Sequence, residues 1–284
     1  MIFAERVLLV VIGSQEELRS SSLQALVSQM TRSIFVEPVL INAGDRILNC
    51  IDEHQSELVY GRRLSDSEVG CAIAHRNAVS KAYEEFGRDS MLKWALIVED
   101  DANLDATTLG RIRAELIAAQ LSLPSLVSFY SAKMPRDTRS LDAPDTTNSL
   151  KVYRQWVAGA VCYAVNQRGL ADIHSFSTQP ISCIADWPLH YSRLKFLKSV
   201  YTRVSEVEGR SSIGYRPRLG VGKRLVLHIR QLWHIRKIAV NYGVTVLAAV
   251  NQLILFPAWR DSRARLELIT RLFRFRTGRI DLKM

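Results

Sequence analysis

Cysteine is scarce in this 284-residue chain: Cys50, Cys71, Cys162 and Cys183 lie far apart and include no C-x-x-C pair. Nothing in that spacing looks like a secreted disulfide framework or a zinc site, and reduced thiols in a cytoplasmic protein are the simpler expectation. A secretory leader is not expected either. Met1–Ile12 is apolar but carries Glu5 and Arg6 and reads as a first strand, with no basic segment and small-residue cleavage site around it. No internal repeat is present. The last third of the chain is short of acid: residues 190–284 hold 20 Lys/Arg against 5 Asp/Glu, a balance of +15, whereas residues 1–189 hold 18 against 23, a balance of −5. An acidic body with a basic tail implies an anionic partner for the tail, either a membrane surface or a nucleic acid. Hydrophobic residues at 48% and charged residues at 23% argue against disorder.

What is there reads as an α/β domain. Val7–Ile12 is a β-branched and leucine run closed by Gly13, as expected for a strand buried on both faces. Ser14–Met30 has nearly helical apolar spacing, and Ile34–Ile41 reads as a second strand, so a βαβ unit in a mainly parallel sheet is expected. Ser65-Asp66-Ser67-Glu68 is a capping box that opens a helix with an apolar stripe at Val69, Ile73, Val79, Tyr83 and Phe86, with Gly87 as terminator. Trp94–Val98 is another buried strand. A helix over Ala106–Gln120, strands at Leu126–Ser131, Val152–Val157 and Ala160–Val165, and a helix over Asn166–Phe176 follow. The loop from Lys133 to Ser149 is long enough to be functional.

Beyond Gly209 the character changes, which divides the chain into a domain over 1–208 and a basic helical, membrane-associating region over 209–284. Ile238–Trp259 is 22 residues without formal charge, but Asn241, Asn251, Gln252 and Pro257 favour an interfacial helix or hairpin over a span. Arg260–Arg279 interleaves arginines with Leu266, Leu268, Ile269, Leu272, Phe273 and Phe275, an amphipathic pattern suited to an anionic surface.

Glu99, Asp100 and Asp101 directly follow the Trp94–Val98 strand. Alternation puts Glu99 and Asp101 on one side and Asp100 on the other. Two like charges so close call for a cation, and oxygen ligands suit Mn²⁺ or Mg²⁺. The rival explanation is a solvated turn capping the next helix. The carboxyl end of a strand, where open α/β sheets bind ligands, favours a site.

Leu64-Ser-Asp-Ser-Glu-Val-Gly-Cys-Ala-Ile-Ala-His75 followed by Trp94-Ala-Leu-Ile-Val-Glu-Asp-Asp-Ala102 resembles the family 25 glycosyltransferases, the bacterial lipooligosaccharide galactosyltransferases and their collagen-modifying relatives. Gly159-Ala-Val-Cys-Tyr-Ala-Val165, Ala185-Asp-Trp-Pro-Leu189 and Ser211-Ser-Ile-Gly214 continue in kind. The resemblance covers roughly residues 5–215. It implies a GT-A-like fold, a UDP-sugar donor (often UDP-galactose), a divalent metal and inversion at the anomeric carbon. On that basis Glu99 and Asp101 are expected to hold Mn²⁺ or Mg²⁺, and Glu68, His75, Asp100 and Gly159 to line the donor pocket. Glu68 is otherwise a capping residue, His75 a hydrogen-bonded core histidine, and Gly159 a turn or bulge. Asp186 is the candidate general base, or else caps a turn before Pro188, with Glu206 and Glu208 as substitutes. The expected protein is cytoplasmic and peripheral to the inner membrane, moving a sugar to a lipooligosaccharide or lipid-linked glycan. Its rivals are a catalytically silent scaffold and a nucleic-acid-binding protein led by the basic tail, which leaves the carboxylate triplet unexplained.

Overall fold

The computed structural model describes residues 7–13, 27, 28, 30, 32–38, 51–119, 122–130, 150–153, 159–177, 179–182, 185, 194–199, 201–207, 221–250 and 253. Most of the expected helix over Ser14–Met30, the whole Lys133–Ser149 loop and the amphipathic Arg260–Arg279 segment lie outside them.

Strands β1 (Val7–Ile12), β2 (Ser33–Val36), β3 (Trp94–Glu99), β5 (Ser125–Ser128), β6 (Leu150–Tyr153), β7 (Cys162–Asn166) and β8 (Lys195–Ser199) form one seven-stranded sheet, ordered β2-β1-β3-β7-β5-β8-β6. β1, β2, β3, β5 and β8 run one way; β7 and β6 oppose them. The architecture is therefore a mixed, mostly parallel sheet flanked by helices. Two short strands, β4 (Ala102–Asn103) and β9 (Ser205–Glu206), pair beside it.

The strands at the centre read as continuous apolar runs because each is covered twice. Leu8, Val10, Ala95, Ile97 and Val165 face α2 (Asp66–Arg88) and α4 (Gln167–Ser177). Leu9, Leu96, Val98 and Ala164 face α3 (Ala106–Ala118) through Leu109, Ile112 and Leu116. Burial of each such side chain stabilises by about 1.5–3 kcal/mol, which makes the sheet the rigid platform of the molecule. Across the first face the stacked rings of Tyr83 and His174, 4.3 Å apart, tie α2 to α4.

The capping box forms as the sequence predicts. Ser65 Oγ accepts from the Glu68 amide and the Glu68 carboxylate accepts from the Ser65 amide at 2.9 Å. Gly87 does not end this helix: it continues to Arg88 and stops at Asp89, whose amide donates to Glu85. Glycine inside a helix is tolerated where packing holds the turn.

Two elements were not anticipated at their places. Helix α1 (Glu53–Tyr60) is capped by Asp52 and ends at Gly61 in the left-handed conformation (φ 72°). β8 joins the sheet beyond β5. Helix α5 (Val221–Asn241) turns at Gly243 (φ 59°) into α6 (Val246–Val250). Ile238, Ala239, Tyr242, Ala249 and Leu253 pack on Leu58 and Val59 of α1, and Gln231 donates to the Val59 carbonyl at 2.7 Å. Among the described residues of the uncharged Ile238–Trp259 segment, these five are thus packed against the protein. Among the described residues no helix is long and apolar enough to cross a membrane.

The cap at Glu68 yields the first prediction. Ser65→Ala removes one cap bond and should cost about 1 kcal/mol. Glu68→Ala also strands the partner cation Arg62, bound at 2.7 Å through both guanidinium nitrogens. It should cost about 2–3 kcal/mol in urea denaturation. Equal losses in the two variants would mean that the Arg62 pair contributes nothing.

Candidate functional site

The parallel strands deliver their carboxyl ends to one edge, and β7 enters the sheet there from Gly159. The main chain of β3 stays extended past its last pair: the Glu99 amide donates to Val161 and the Asp100 amide to Ile12, both at 2.9 Å. Gly13, at the end of β1, makes room for Asp100, since a Cβ at Gly13 would stand 2.7 Å from Asp100 Cβ. Asp101 is buried, and its carbonyl accepts from Val207 at 2.8 Å. The register of β4 with β9 sets Glu206 against Ala102, so the 201–207 segment runs back along the edge to the acidic turn.

His75, in the third turn of α2, joins helix to sheet. One ring nitrogen lies 2.8 Å from Glu99 Oε1 and the other 3.0 Å from the Tyr163 hydroxyl. A carboxylate can only accept, so in the neutral imidazole Nε2 carries the proton and Nδ1 accepts from Tyr163. Cys71, four residues earlier on the same helix face, completes a group of three. Its sulfur, a His75 nitrogen and a Glu99 oxygen lie within 4.8 Å of one another. Among the described residues this is the one set of three or more metal-type ligands that converges, and neither Asp100 nor Asp101 is in it. A thiolate, imidazole and carboxylate set suits zinc, whereas the carboxylate turn suits a harder ion.

The expected site residues divide into two groups. His75, Glu99, Asp100 and Asp101 are brought to one edge, with Glu99 leaning on His75. Glu68, only 1% exposed, has both carboxylate oxygens engaged by Arg62 and one of them by the Ser65 amide, which makes it a structural residue of the helix start. Gly159 has φ +126°, and a Cβ there would fall inside the Tyr130 ring. The close approach this glycine permits is therefore that of Tyr130. Asp186 lies outside the described residues; its neighbour Ala185 packs against the cluster beneath α2. Glu208 also lies outside them.

Sequence reasoning passed over Tyr163 and Lys198. Register places Ile97, Tyr163, Ser128 and Lys198 in one row across β3, β7, β5 and β8. Phe196, two residues before Lys198, belongs to the core facing α2, so alternation turns Lys198 to that face as well. The one signal was a lysine at an apolar-facing position in Lys195-Phe-Leu-Lys-Ser199. Lys198 is 1% exposed, and its ammonium has no hydrogen-bond partner among the described residues. Burial, with the nearby Arg203 cation adding to it, pushes the Lys198 ammonium down to about 8. Burial likewise pushes the Cys162 thiol up, leaving it inert.

Comparison with protein-family models and with curated proteins finds no match for the chain.

Lys198 sets a pH dependence. In the unfolded chain lysine holds its proton to 10.5, and in the folded chain to about 8. Between these values the unfolded state binds more protons, so stability rises with pH, and below 8 the whole cost is present. Lys198→Met should be more stable than wild type by about 2 kcal/mol at pH 7. That gap should close as pH rises from about 8 to 10.5 in urea melts. A gap that stays constant with pH would mean that the fold already compensates the ammonium.

Proposed function

We propose that the protein is a metal-dependent, inverting glycosyltransferase of GT-A-like fold that moves a sugar, galactose by preference, from a UDP-sugar to a glycan or lipid-linked acceptor. The observation that carries the reading is the acidic turn Glu99-Asp100-Asp101 at the carboxyl end of an interior strand. The strand is flanked by two others and backed by α2, whose first half carries Glu68-Val-Gly-Cys71 and His75. A mostly parallel sheet with ligand-type residues gathered at its carboxyl edge supports the same reading.

The carboxylate turn offers the ligand type that the ion of such an enzyme takes, while the ligand atoms that already converge are those of Cys71, His75 and Glu99. Three consecutive carboxylates offer oxygen ligands, which suit Mn²⁺ or Mg²⁺, and Glu99 and Asp101 would hold it. Bound there, the ion would supply charge neutralisation to the departing diphosphate. The protein's own residues do the rest. His75 holds Glu99 in place through a hydrogen bond whose far end is fixed by Tyr163, so the carboxylate meets its ligand with little reorganisation. Gly13 lets Asp100 sit beside β1. Asp186 takes the proton of the acceptor hydroxyl as its oxygen attacks the anomeric carbon from the face opposite the diphosphate.

We place the enzyme at an anionic membrane surface, in a cytoplasmic setting. Support comes from α5, whose face opposite α1 exposes Val226, Ile229, Trp233 and Val240, with Trp233 85% exposed. Arg230, Arg236 and Lys237 are exposed beside them, and the chain has no acidic residue between Glu208 and Asp261. An amphipathic basic helix of this kind lies in the plane of a headgroup layer.

Two experiments test the reading. Incubation with a panel of UDP-sugars should release UDP slowly from one donor, only with Mn²⁺ or Mg²⁺. Asp101→Asn should lower that rate about 10²–10³-fold. A protein that neither hydrolyses nor binds any sugar nucleotide is not this enzyme. Flotation with phosphatidylglycerol-containing vesicles should recover the wild type and lose Trp233→Glu combined with Ile229→Glu, while both keep the same melting temperature. Equal flotation would take the membrane role away from α5.

A further inference from the structure

A buried ammonium without a carboxylate beside it is costly, and chains keep one chiefly where function needs the charge. Among the described residues Lys198 is such a group: it is buried and its ammonium has no hydrogen-bond partner. The charge that acts on it is a second cation, Arg203, which raises the cost further. Among the described residues, then, the charge acting on Lys198 is a cation and not a carboxylate, which is the charge pattern of an anion site. The place of the two residues in the fold says where the anion would lie.

Lys198 sits in the last turn of the β8 pleat, at the carboxyl edge and on the face that carries Glu99, His75 and Tyr163. Neighbouring strands stand about 4.8 Å apart, so Lys198 is about 10 Å from Tyr163 in backbone position, with Ser128 between them. Side chains of a strand stand roughly perpendicular to the sheet, so Lys198, Ser128 and Tyr163 rise side by side from one face. Arg203 is five residues further, in the segment that returns along the edge to the acidic turn. Val204, next to Arg203, donates to Phe129 at 2.8 Å and bridges Tyr130, the ring that covers Gly159. Val207 then binds the Asp101 carbonyl. One stretch of chain therefore links the two cations to the carboxylates. Arg203 is exposed and Lys198 buried, so an arriving anion meets the first at the surface and the second at depth.

We infer that Lys198 and Arg203 form the cationic half of a diphosphate-binding site, on the same sheet edge as the carboxylate turn that takes the metal. This rests on the transferase reading. It adds to it the side chains that hold the leaving group on the side away from the metal. Lys198 contributes a point charge at fixed depth, and Arg203 a planar guanidinium able to grip two phosphate oxygens.

The test measures binding of UDP and, separately, of inorganic pyrophosphate, each with Mn²⁺, by calorimetry on wild type, Lys198→Met and Arg203→Gln. The expected result is binding weakened at least tenfold in each variant, with Lys198→Met melting no lower than wild type in the absence of ligand. Loss of affinity with an unchanged or raised melting temperature separates an anion-binding role from a structural one. Unchanged affinity in both variants overturns the inference and leaves the transferase reading standing, since the wild type still binds UDP. A marked fall in the ligand-free melting temperature of Lys198→Met also overturns it, because the lysine is then paired with one of the chain's own carboxylates. If pyrophosphate binds through these two residues and UDP does not, the anion site stands and the sugar-nucleotide reading fails. A wild type that binds neither overturns both.

Discussion

The hydrogen-bonded chain from Glu99 through His75 to Tyr163 is the contact on which the arrangement of the carboxyl edge depends. It joins the end of β3, the first half of α2 and the antiparallel strand β7 in one buried polar contact. In a surrounding of low dielectric such a chain is strong when complete and costly when broken, so it sets the register of α2 over the sheet. The cap at Ser65 and Glu68 then fixes where that helix begins, and with it the height of Cys71 and His75 above the edge.

Two glycines do the corresponding work in the backbone. Gly13 admits Asp100 beside β1, and Gly159, in a conformation that side chains rarely adopt, admits the ring of Tyr130. Close packing of the strands leaves no other room at these points. The edge that results is electrically divided. Carboxylates gather at the end of β3, and Lys198 and Arg203 lie across β7 and β5 from them. A charge division of this kind costs stability in the folded chain and suits a ligand that carries both a metal and phosphate groups. Fold and proposed chemistry meet at this point.

The C-terminal helices obey a different constraint. α5 is apolar on two opposite faces. One is taken by α1, where Gln231 and Asn241 satisfy polar groups of that helix, and the other meets solvent with basic residues along it. A sheet-and-helix body therefore holds α5 firmly while leaving its second face for a surface. Beyond the division expected at residue 208, α5 packs on α1.

Local chemistry was legible in the sequence wherever it is carried by near neighbours. The apolar runs gave β1 and β3, the capping box gave the start of α2, and three adjacent carboxylates after a buried strand gave the acidic edge. The mostly parallel sheet followed from the alternation of strands and helices. Helix α1 was missed because its apolar stripe is short, and β8 because a lysine stands at an inward position. His75 and Glu99 are 24 residues apart, His75 and Tyr163 88, and no periodicity links such pairs. Glu68 shows the limit from the other side: the sequence allowed both a cap and a ligand role, and the position of Arg62 decided for the cap. Pattern along the chain is set by burial and turn geometry, which are local. Which polar groups meet at the carboxyl edge was decided by strand order and register, which exist only once the sheet has formed.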